Sequence, residues 1–173
     1  MTLRRAFSRS LLVAVLACAT WPIAGCGADV PLDKSVELVV NETGYTDLGI
    51  VNGETRLVPT ATLQVKNIGA SAMAGFQISA TFWPAGRDGA TDEVILQGLV
   101  AKSLAPAALS DPIVLRANFG FKLEGARADF FAHSGFADFT IKVLGKFNGR
   151  MYRLGEVKVD RKILAKPGSM PIK

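Results

Sequence analysis

Hydrophobic and polar side chains alternate with a period of two over most of the chain from residue 36 onward. A half-buried β-strand gives this alternation, because successive side chains point to opposite faces of a sheet. Clusters of Gly, Pro, Asn and Asp separate the alternating runs, as expected for turns. A further strand is predicted at 94–100. The inward positions of the other predicted strands are Val36, Leu38 and Val40; Ala61, Leu63 and Val65; Phe76, Ile78, Ala80 and Phe82; Ile113, Leu115, Ala117, Phe119 and Phe121; and Phe139, Ile141 and Val143.

The last two strands form a hairpin whose register follows from the turn. Asn148-Gly149 is the strongest short signal for a type I′ turn, in which both residues take positive φ. A two-residue turn pairs Phe147 with Arg150, Gly145 with Tyr152 and Val143 with Leu154. The apolar parity then changes, and one extra residue at Gly155-Glu156 restores the pairs Ile141 with Val157 and Phe139 with Val159. The sequence therefore predicts a β-bulge at that point.

Residues 124–136 break the strand pattern and contain three phenylalanines, Phe130, Phe131 and Phe136. We interpret this segment as a crossover loop with a helical turn at 126–133. Its aromatic side chains are expected to close one end of the core.

About seven strands joined by short turns indicate an all-β fold, an Ig-like antiparallel β-sandwich, following a cleaved signal peptide. Three segments carry a family resemblance: the turn at 65–69 (VKNIG), the aromatic Phe82-Trp83 leading to glycine turns, and the segment at 103–106 (SLAP). Their layout resembles FxLYD-type and related bacterial Ig-like domains, although the Phe-x-Leu-Tyr-Asp signature is absent and Ala107 replaces the usual glycine. The resemblance implies a sandwich with an extracytoplasmic accessory role and no shared active site.

The first 26 residues have the layout of an export signal. Three arginines precede an apolar run from Leu11, and Ile23-Ala24-Gly25-Cys26 ends it. This tetrapeptide resembles the bacterial lipobox, which implies lipid attachment at Cys26 and signal cleavage between Gly25 and Cys26. Gly27 stands where Asp is the usual enterobacterial signal for inner-membrane retention, which favours the outer membrane, facing the periplasm.

Two other interpretations of the N-terminus are open. A membrane-spanning helix needs about 20 apolar residues, whereas the stretch from Leu11 to Gly25 is shorter and contains Pro22. Secretory cleavage after Ala19 fits the small-x-small rule, but it leaves an apolar run just short of the usual length.

Cleavage at Cys26 leaves 148 of the 173 residues, enough for a single domain. The expected organisation is signal peptide 1–25, lipid-anchored tether 26–35, β-sandwich 36–165 and basic tail 166–173. Three of the 20 basic residues belong to the signal, so the mature chain carries 17 against 15 acidic residues. This charge does not indicate a nucleic-acid partner. Both cysteines, Cys18 and Cys26, lie at or before the cleavage site, so the mature fold must depend on its core.

Few residues suggest catalytic or metal chemistry. His133 is the single histidine, with Ser134 beside it and Asp129 four residues earlier, but neighbours on one loop rarely assemble a triad. Asp88, Asp92 and Glu93 lack the spacing of a calcium loop, so a solvated hairpin tip is favoured. We therefore expect no catalytic residues, no metal site and no cofactor.

Two surface features remain open between a structural and a binding role. Trp83 is expected to cap the sandwich. The alternative is that its side chain is exposed and contacts a partner. The basic residues near the C-terminus are expected to form a solvated strand edge. The alternative is that they contact anionic lipid headgroups. They are Lys158, Arg161, Lys162, Lys166 and Lys173.

These observations predict a membrane-anchored lipoprotein of the bacterial cell envelope whose β-sandwich serves as a binding or structural accessory module. The expected partners are the membrane, through the N-terminal lipid, and an envelope protein. One alternative is an envelope assembly factor that binds a partner strand by β-augmentation. A hydrolase using His133 is the third and least favoured. The oligomeric state is left open.

Overall fold

The computed structural model describes residues 31–51, 54–96, 103–123 and 127–164. Within these residues, nine strands form two sheets. A helical turn, α1 (Leu32–Ser35), precedes them and a 3₁₀ helix (Arg127–Ala132) interrupts them. The strands are β1 (Val36–Val51), β2 (Glu54–Asn67), β3 (Gln77–Pro84), β4 (Asp92–Leu96), β5 (Ile113–Arg116), β6 (Phe121–Leu123), β7 (Phe139–Phe147), β8 (Arg150–Lys158) and β9 (Ile163–Leu164).

The first sheet has the strand order β5-β2-β1-β9, and β6 pairs with β2 beyond β5. Its centre is the antiparallel ladder between β1 and β2, from Val36 opposite Asn67 to Val51 opposite Glu54. The two-residue strand β9 runs parallel to β1 and pairs Tyr45 with Ile163.

The second sheet has the order β4-β3-β7-β8, with every neighbouring pair antiparallel. When β1, β2 and β5 are assigned to positions A, B and E of an immunoglobulin domain, β4, β3, β7 and β8 occupy C′, C, F and G. The all-β, Ig-like sandwich is therefore confirmed. The structure describes nine strands instead of about seven, because β6 and β9 have only three and two residues and show no period of their own.

The core lies between the sheets and consists of the inward positions that the alternation predicts. Phe76, Ile78, Ala80 and Phe82 have no exposed surface, and Ala61, Leu63, Val65 and Ile141 are equally buried. Residues of the 3₁₀ segment complete one end of this core, as expected, with Phe130 almost fully buried. The predicted helical turn at 126–133 is present as the 3₁₀ helix.

Two predicted core positions are wrong. Val40 is 45% exposed. The register of β1 shifts between Val40 and Glu42, so the buried positions are even-numbered at Val36 but odd-numbered at Thr43 and Tyr45. Phe119 is 66% exposed, because β5 ends at Arg116 and the chain bends before β6 begins.

The β7–β8 hairpin has the predicted turn and most of the predicted register. Asn148 and Gly149 take φ values of 47° and 75°, Phe147 faces Arg150 and Ile141 faces Val157. The bulge is confirmed, but its predicted position is wrong by one or two residues. Val143 pairs with Gly155 and Leu144 with Arg153, so that Leu154 is the extra residue. Leu154 is thereby free to pack on Gly145, where a Cβ atom would lie 3.0 Å from its Cδ1.

The tether predicted at 26–35 is too long at its C-terminal end. Leu32 has no exposed surface and belongs to the core. It lies over β7, where a Cβ atom on Gly145 would come within 2.5 Å of its Cδ2. The turn α1 is therefore part of the folded domain. In the described ranges, no helix has the length and hydrophobicity that crossing a bilayer requires.

Candidate functional site

An aromatic cluster closes the end of the sandwich where the β6 and 3₁₀ segments meet β1. Tyr45 is its centre, with ring centroids 5.3 Å from Phe130, 5.6 Å from Phe131 and 5.5 Å from Phe136. Most of the ring pairs are edge-to-face, the arrangement that the aromatic quadrupole favours. The other members are Phe121 and Phe139, whose ring centroids lie 5.7 Å apart.

The phenol of Tyr45 points to the rim of this cluster. Its hydroxyl donates a long hydrogen bond of 3.5 Å to the Ala137 carbonyl. Burial raises the pKa of Tyr45 above its usual range, and the negative charge of Asp138 adds to this effect. Tyr45 therefore stays neutral here and acts as a packed aromatic, with no sign of activation as an acid or base.

A bidentate ion pair borders the cluster. Arg161 donates from Nε to Asp138 Oδ1 at 2.8 Å and from Nη2 to Oδ2 at 2.7 Å. These hydrogen bonds hold the pKa of the Asp138 carboxyl below its usual range. The Arg161 guanidinium also lies 5.3 Å from the centroid of the Phe136 ring, within cation–π range.

A shallow cleft opens beside the cluster. It encloses about 90 Å³, and its lining comprises Phe121, Lys122, Phe130, His133, Gly135 and Phe136. Pockets for drug-sized ligands measure roughly 300–1,000 Å³, so this cleft fits only a small group, such as one ring or a few water molecules. The Lys122 ammonium at its edge is paired with Glu54 at 2.8 Å.

His133 reaches the cleft in an orientation that opposes a triad. Its Nδ1 accepts a hydrogen bond of 3.1 Å from the backbone N–H of Gly135. In a Ser-His-Asp triad, Nδ1 carries the proton and donates it to the carboxylate, while Nε2 accepts from the serine. Here the proton is assigned to Nε2, so that nitrogen is a donor. Ser134 and Asp129, the two candidate partners, are both exposed.

In the acidic hairpin formed by β3 and β4, Asp92 has a structural role. Asp92 accepts hydrogen bonds from the backbone N–H groups of Asn118 and Phe119, the latter at 3.0 Å. Its carboxylate thus joins β4 to the loop after β5, across the two sheets. Asp88 and Glu93 are exposed, and the described part of the chain contains no group of three metal-ligand side chains.

Trp83 does not cap the sandwich as expected. It lies on the outer face of β3, half-buried, because its neighbours Phe82 and Pro84 take the inward positions. Its indole Nε1 donates to Thr81 Oγ1 at 2.9 Å, and the Lys142 ammonium lies 3.6 Å from its ring centroid.

The basic residues of the C-terminal part differ in their surroundings. Arg161 is paired as above, and the Lys162 ammonium lies 3.9 Å from Glu42 and 3.8 Å from Asp160. Lys158 is exposed. Lys166 and Lys173 lie outside the described residues, as do Cys26 and the whole predicted signal peptide.

Tyr45 and Asp138 were not among the residues selected from the sequence, and Arg161 was selected only as one of the basic residues near the C-terminus. The parity change at Asn41 hides the inward position of Tyr45, since the alternation from Val36 continues to Val40 without a break. The pairing of Asp138 with Arg161 spans 23 residues, and only the chain path from β8 to β9 brings the two together.

Comparison with known proteins adds little to this geometry. No protein-family model matches the chain, and no curated protein matches it. It is similar to the X-ray structure of Northeast Structural Genomics Consortium target SoR45. The two share 16% identity over 83% of this chain and 96% of that chain, with a TM-score of 0.41. A likeness at this level does not extend to function.

Proposed function

We propose that the protein is a lipid-anchored lipoprotein of the bacterial cell envelope whose β-sandwich is a binding or structural accessory module. The observation that carries the proposal is the sequence Ile23-Ala24-Gly25-Cys26 at the end of an arginine-led apolar run. The domain begins at Leu32, six residues after the cysteine, which suits a module held close to its membrane.

The composition of the core is compatible with an extracytoplasmic location. The chain has two cysteines, both at or before residue 26, so the mature protein has no thiol pair to oxidise. The core instead rests on fully buried apolar side chains, among them Tyr45, Phe76 and Phe82. Such a fold needs no redox chemistry to form, and it tolerates an oxidising compartment.

Replacement of the two cysteines separately tests the anchor. Cys26→Ser should abolish incorporation of labelled palmitate, leave an uncleaved precursor and move the protein out of the detergent phase. Cys18→Ser, within the predicted signal, is the matched control and should change none of these. A Cys26→Ser protein that is still cleaved after Gly25 and stays in the membrane contradicts the proposal. A mature N-terminus at Thr20 would indicate ordinary secretory cleavage instead.

A second function, capture of a partner strand, is favoured by the free edge of β1. Along Val36–Asn41, the described residues place β2 on one side of the strand and no strand on the other, because β9 pairs only at Tyr45 and Thr46. Val40 on this edge is 45% exposed. An open, apolar edge of this kind is the template that β-augmentation requires. The edge of β8, by contrast, is protected by its bulge and by Arg150, Arg153 and Lys158.

A photo-crosslinking side chain at residue 40 tests this alternative in intact cells. Strand capture predicts a single defined crosslinked product from position 40. The same side chain at Ile50 should not give this product, and adding Val39→Lys to the position-40 variant should abolish it. Equal products at both positions, or none, contradict it.

A hydrolase based on His133 is the least supported function, since Nδ1 is occupied by the Gly135 N–H. If the protein hydrolyses a substrate through this residue, His133→Ala should abolish turnover with unchanged thermal stability. We expect no loss of any activity in that variant.

A further inference from the structure

One end of the sandwich gathers the first described residues of the domain. The Ser35 carbonyl in α1 accepts hydrogen bonds from the N–H groups of Ile68 at 2.9 Å and Gly69 at 3.2 Å. The Asn148-Gly149 turn of the β7–β8 hairpin projects from the same end, because β7 runs towards it past Gly145, on which Leu32 lies. We define the anchor end by α1 (Leu32–Ser35), Ile68, Leu109 and residues 146–151.

The proposed lipid would hold this end close to the bilayer. Five residue steps separate Pro31 from Cys26, which span at most about 18 Å when fully extended. The cleft at His133 lies at the other end of the strands. Since β7 has nine residues, the two ends are roughly 30 Å apart.

Exposed apolar side chains occur at the anchor end, but they do not distinguish it alone. Ile68 is 52% exposed, Leu109 48% and Met151 54%. Ile50 and Phe119, at the opposite end, are exposed to an even greater degree. Single exposed apolar residues are ordinary on protein surfaces, so a second property is needed.

Charge supplies the distinction between the two ends. Lys34, Lys146 and Arg150 are exposed at the anchor end, and among the described residues none of them forms an ion pair. The half-buried Lys66 adds a fourth cation, against the two exposed acids Asp33 and Glu37. At the opposite end, Lys122, Arg161 and Lys162 each face a carboxylate. Arg87, Arg116 and Lys158 are exposed there without an ion pair to any other described residue, but that end also carries the further exposed acids Asp88, Glu93, Asp129 and Asp160. The excess of cations over acids is therefore confined to the anchor end.

We propose that the anchor end is a bilayer-contact surface for a membrane rich in anionic phospholipid. Ile68, Leu109 and Met151 enter the interfacial region, while the unpaired cations Lys34, Lys146 and Arg150 face the headgroups. This inference rests on the proposed lipid anchor, which supplies the high local concentration that a small surface needs. Apolar side chains beside cations are the combination that interfacial segments use. The contact holds the strands away from the bilayer and presents the His133 cleft on the far side.

The cysteine content of the chain makes the test direct. Cleavage of the signal peptide removes Cys18, and the lipid blocks Cys26 as a thioether. An introduced cysteine is therefore the single free thiol of the mature protein. We would label Met151→Cys and Ile68→Cys with a small fluorophore, and Ile50→Cys as the control at the opposite end. The lipidated proteins are reconstituted in vesicles of equimolar phosphatidylcholine and phosphatidylglycerol that contain a nitroxide-bearing lipid.

The expected result is several-fold stronger quenching at positions 151 and 68 than at position 50. Quenching at 151 should fall in vesicles of phosphatidylcholine alone, and in a Lys146→Gln, Arg150→Gln variant, but not in an Arg87→Gln control. Protein that floats with the vesicles and shows equal quenching at all three positions overturns the contact and leaves the anchor intact. That outcome would also be the one expected if a protein partner, absent from pure lipid vesicles, covers this end. Protein that does not float, and that titrates with a second free thiol, overturns the anchor and the contact with it.

Discussion

Asn67 joins the turn at 65–69 to the segment that begins at Ser103. It has no exposed surface, and its side-chain amide donates to the carbonyls of Ser71 at 2.9 Å and Leu104 at 2.8 Å, while its oxygen accepts from the Gly69 N–H. Its backbone carbonyl accepts a further bond from the Ala107 N–H. The buried amide thus fixes the turn at 65–69 against the segment at 103–107, which the sequence places 37 residues apart.

Ala107, which follows Pro106, carries backbone strain. Its φ is 63°, in the left-handed region, which costs an L-residue roughly 1–2 kcal/mol. Ala107→Gly removes this cost. Glycine also gives the unfolded chain more conformational freedom, which lowers stability by a smaller amount. We therefore expect the free energy of unfolding to rise by about 0.5–1 kcal/mol. Urea denaturation checks this, with Ala105→Gly as the control. Since Ala105 has no positive φ, the same substitution there should lower stability, and a gain at both sites would contradict the strain argument.

Tyr45 should make the fold sensitive to alkali. Its pKa is raised in the folded state by burial and by Asp138, whereas the unfolded phenol ionises near pH 10. Its contribution to stability is therefore complete below about pH 10 and decreases as the pH rises above that value. Tyr45→Phe removes this dependence. At neutral pH it should change stability by less than about 1 kcal/mol, because the lost hydrogen bond to Ala137 is long.

The measurement is the free energy of unfolding at pH 7 and pH 10.5 for both proteins. The loss between the two values should be smaller in Tyr45→Phe than in the wild type. Tyr152→Phe, which removes the other tyrosine, controls for general alkaline effects. Identical losses in the wild type and Tyr45→Phe would show that Tyr45 does not govern the alkaline limb.

At the residue scale, the sequence predicts burial well where the alternation is regular and less well beside irregularities. Phe82 and Val65 are buried as predicted, whereas Val40 is not, because the shift after it changes the parity of β1. No local pattern marks that shift. The hydrogen bond between Gly135 and His133 is equally invisible in the sequence, since it depends on the loop conformation.

The β7–β8 hairpin shows how one extra residue keeps two halves of an element in phase. Its turn-proximal half follows the Asn148-Gly149 register, and its distal half places Val157 and Val159 in the core. Leu154 absorbs the difference between them. The bulge was predictable from the change in apolar parity, but its position was not, because Leu154, Gly155 and Glu156 satisfy that parity equally well as the extra residue.

Deletions in β8 should separate the bulge from the regular ladder. Without Glu156, the hairpin can pair Val143 with Leu154 and keep Ile141 opposite Val157, so we expect a small loss of stability. Without Lys158, Val159 moves to the outward position opposite Thr140, which costs about 1.5–3 kcal/mol for one buried side chain. Urea denaturation of the two deletion variants measures the difference. A Glu156 deletion as costly as the Lys158 deletion would contradict a bulge that can be removed in this way.

At the scale of the whole molecule, α1 ties the start of the domain to the second sheet. Leu32 is fully buried and lies over Gly145, where any larger residue would collide with it. Leu32→Ala should therefore cost about 2–5 kcal/mol, the range for truncation of a buried leucine. Leu109→Ala, at an exposed position, is the matched control and should change stability by less than about 0.5 kcal/mol. Equal small effects would place α1 outside the cooperative unit.

The architecture followed from the sequence because strand alternation and turn residues are local signals that agree with one another. The docking of α1 did not, since its four residues are too few to show a helical period, and only the vacant surface at Gly145 gives Leu32 a place to pack. The candidate cleft was also beyond prediction. Its lining combines β6, the 3₁₀ segment and the loop at 133–136, whose relative positions depend on contacts between distant parts of the chain.

The docking of Leu32 also has a mechanical meaning. If the N-terminus is fixed to a membrane while a partner holds the other end of the sandwich, tension passes through Leu32 into β1 along the direction of the strand. The long ladder between β1 and β2 is then loaded in shear, so that many hydrogen bonds share the force instead of opening one after another. The buried leucine is the first contact to bear that load, and it passes part of the force to β7 before the force reaches the ladder.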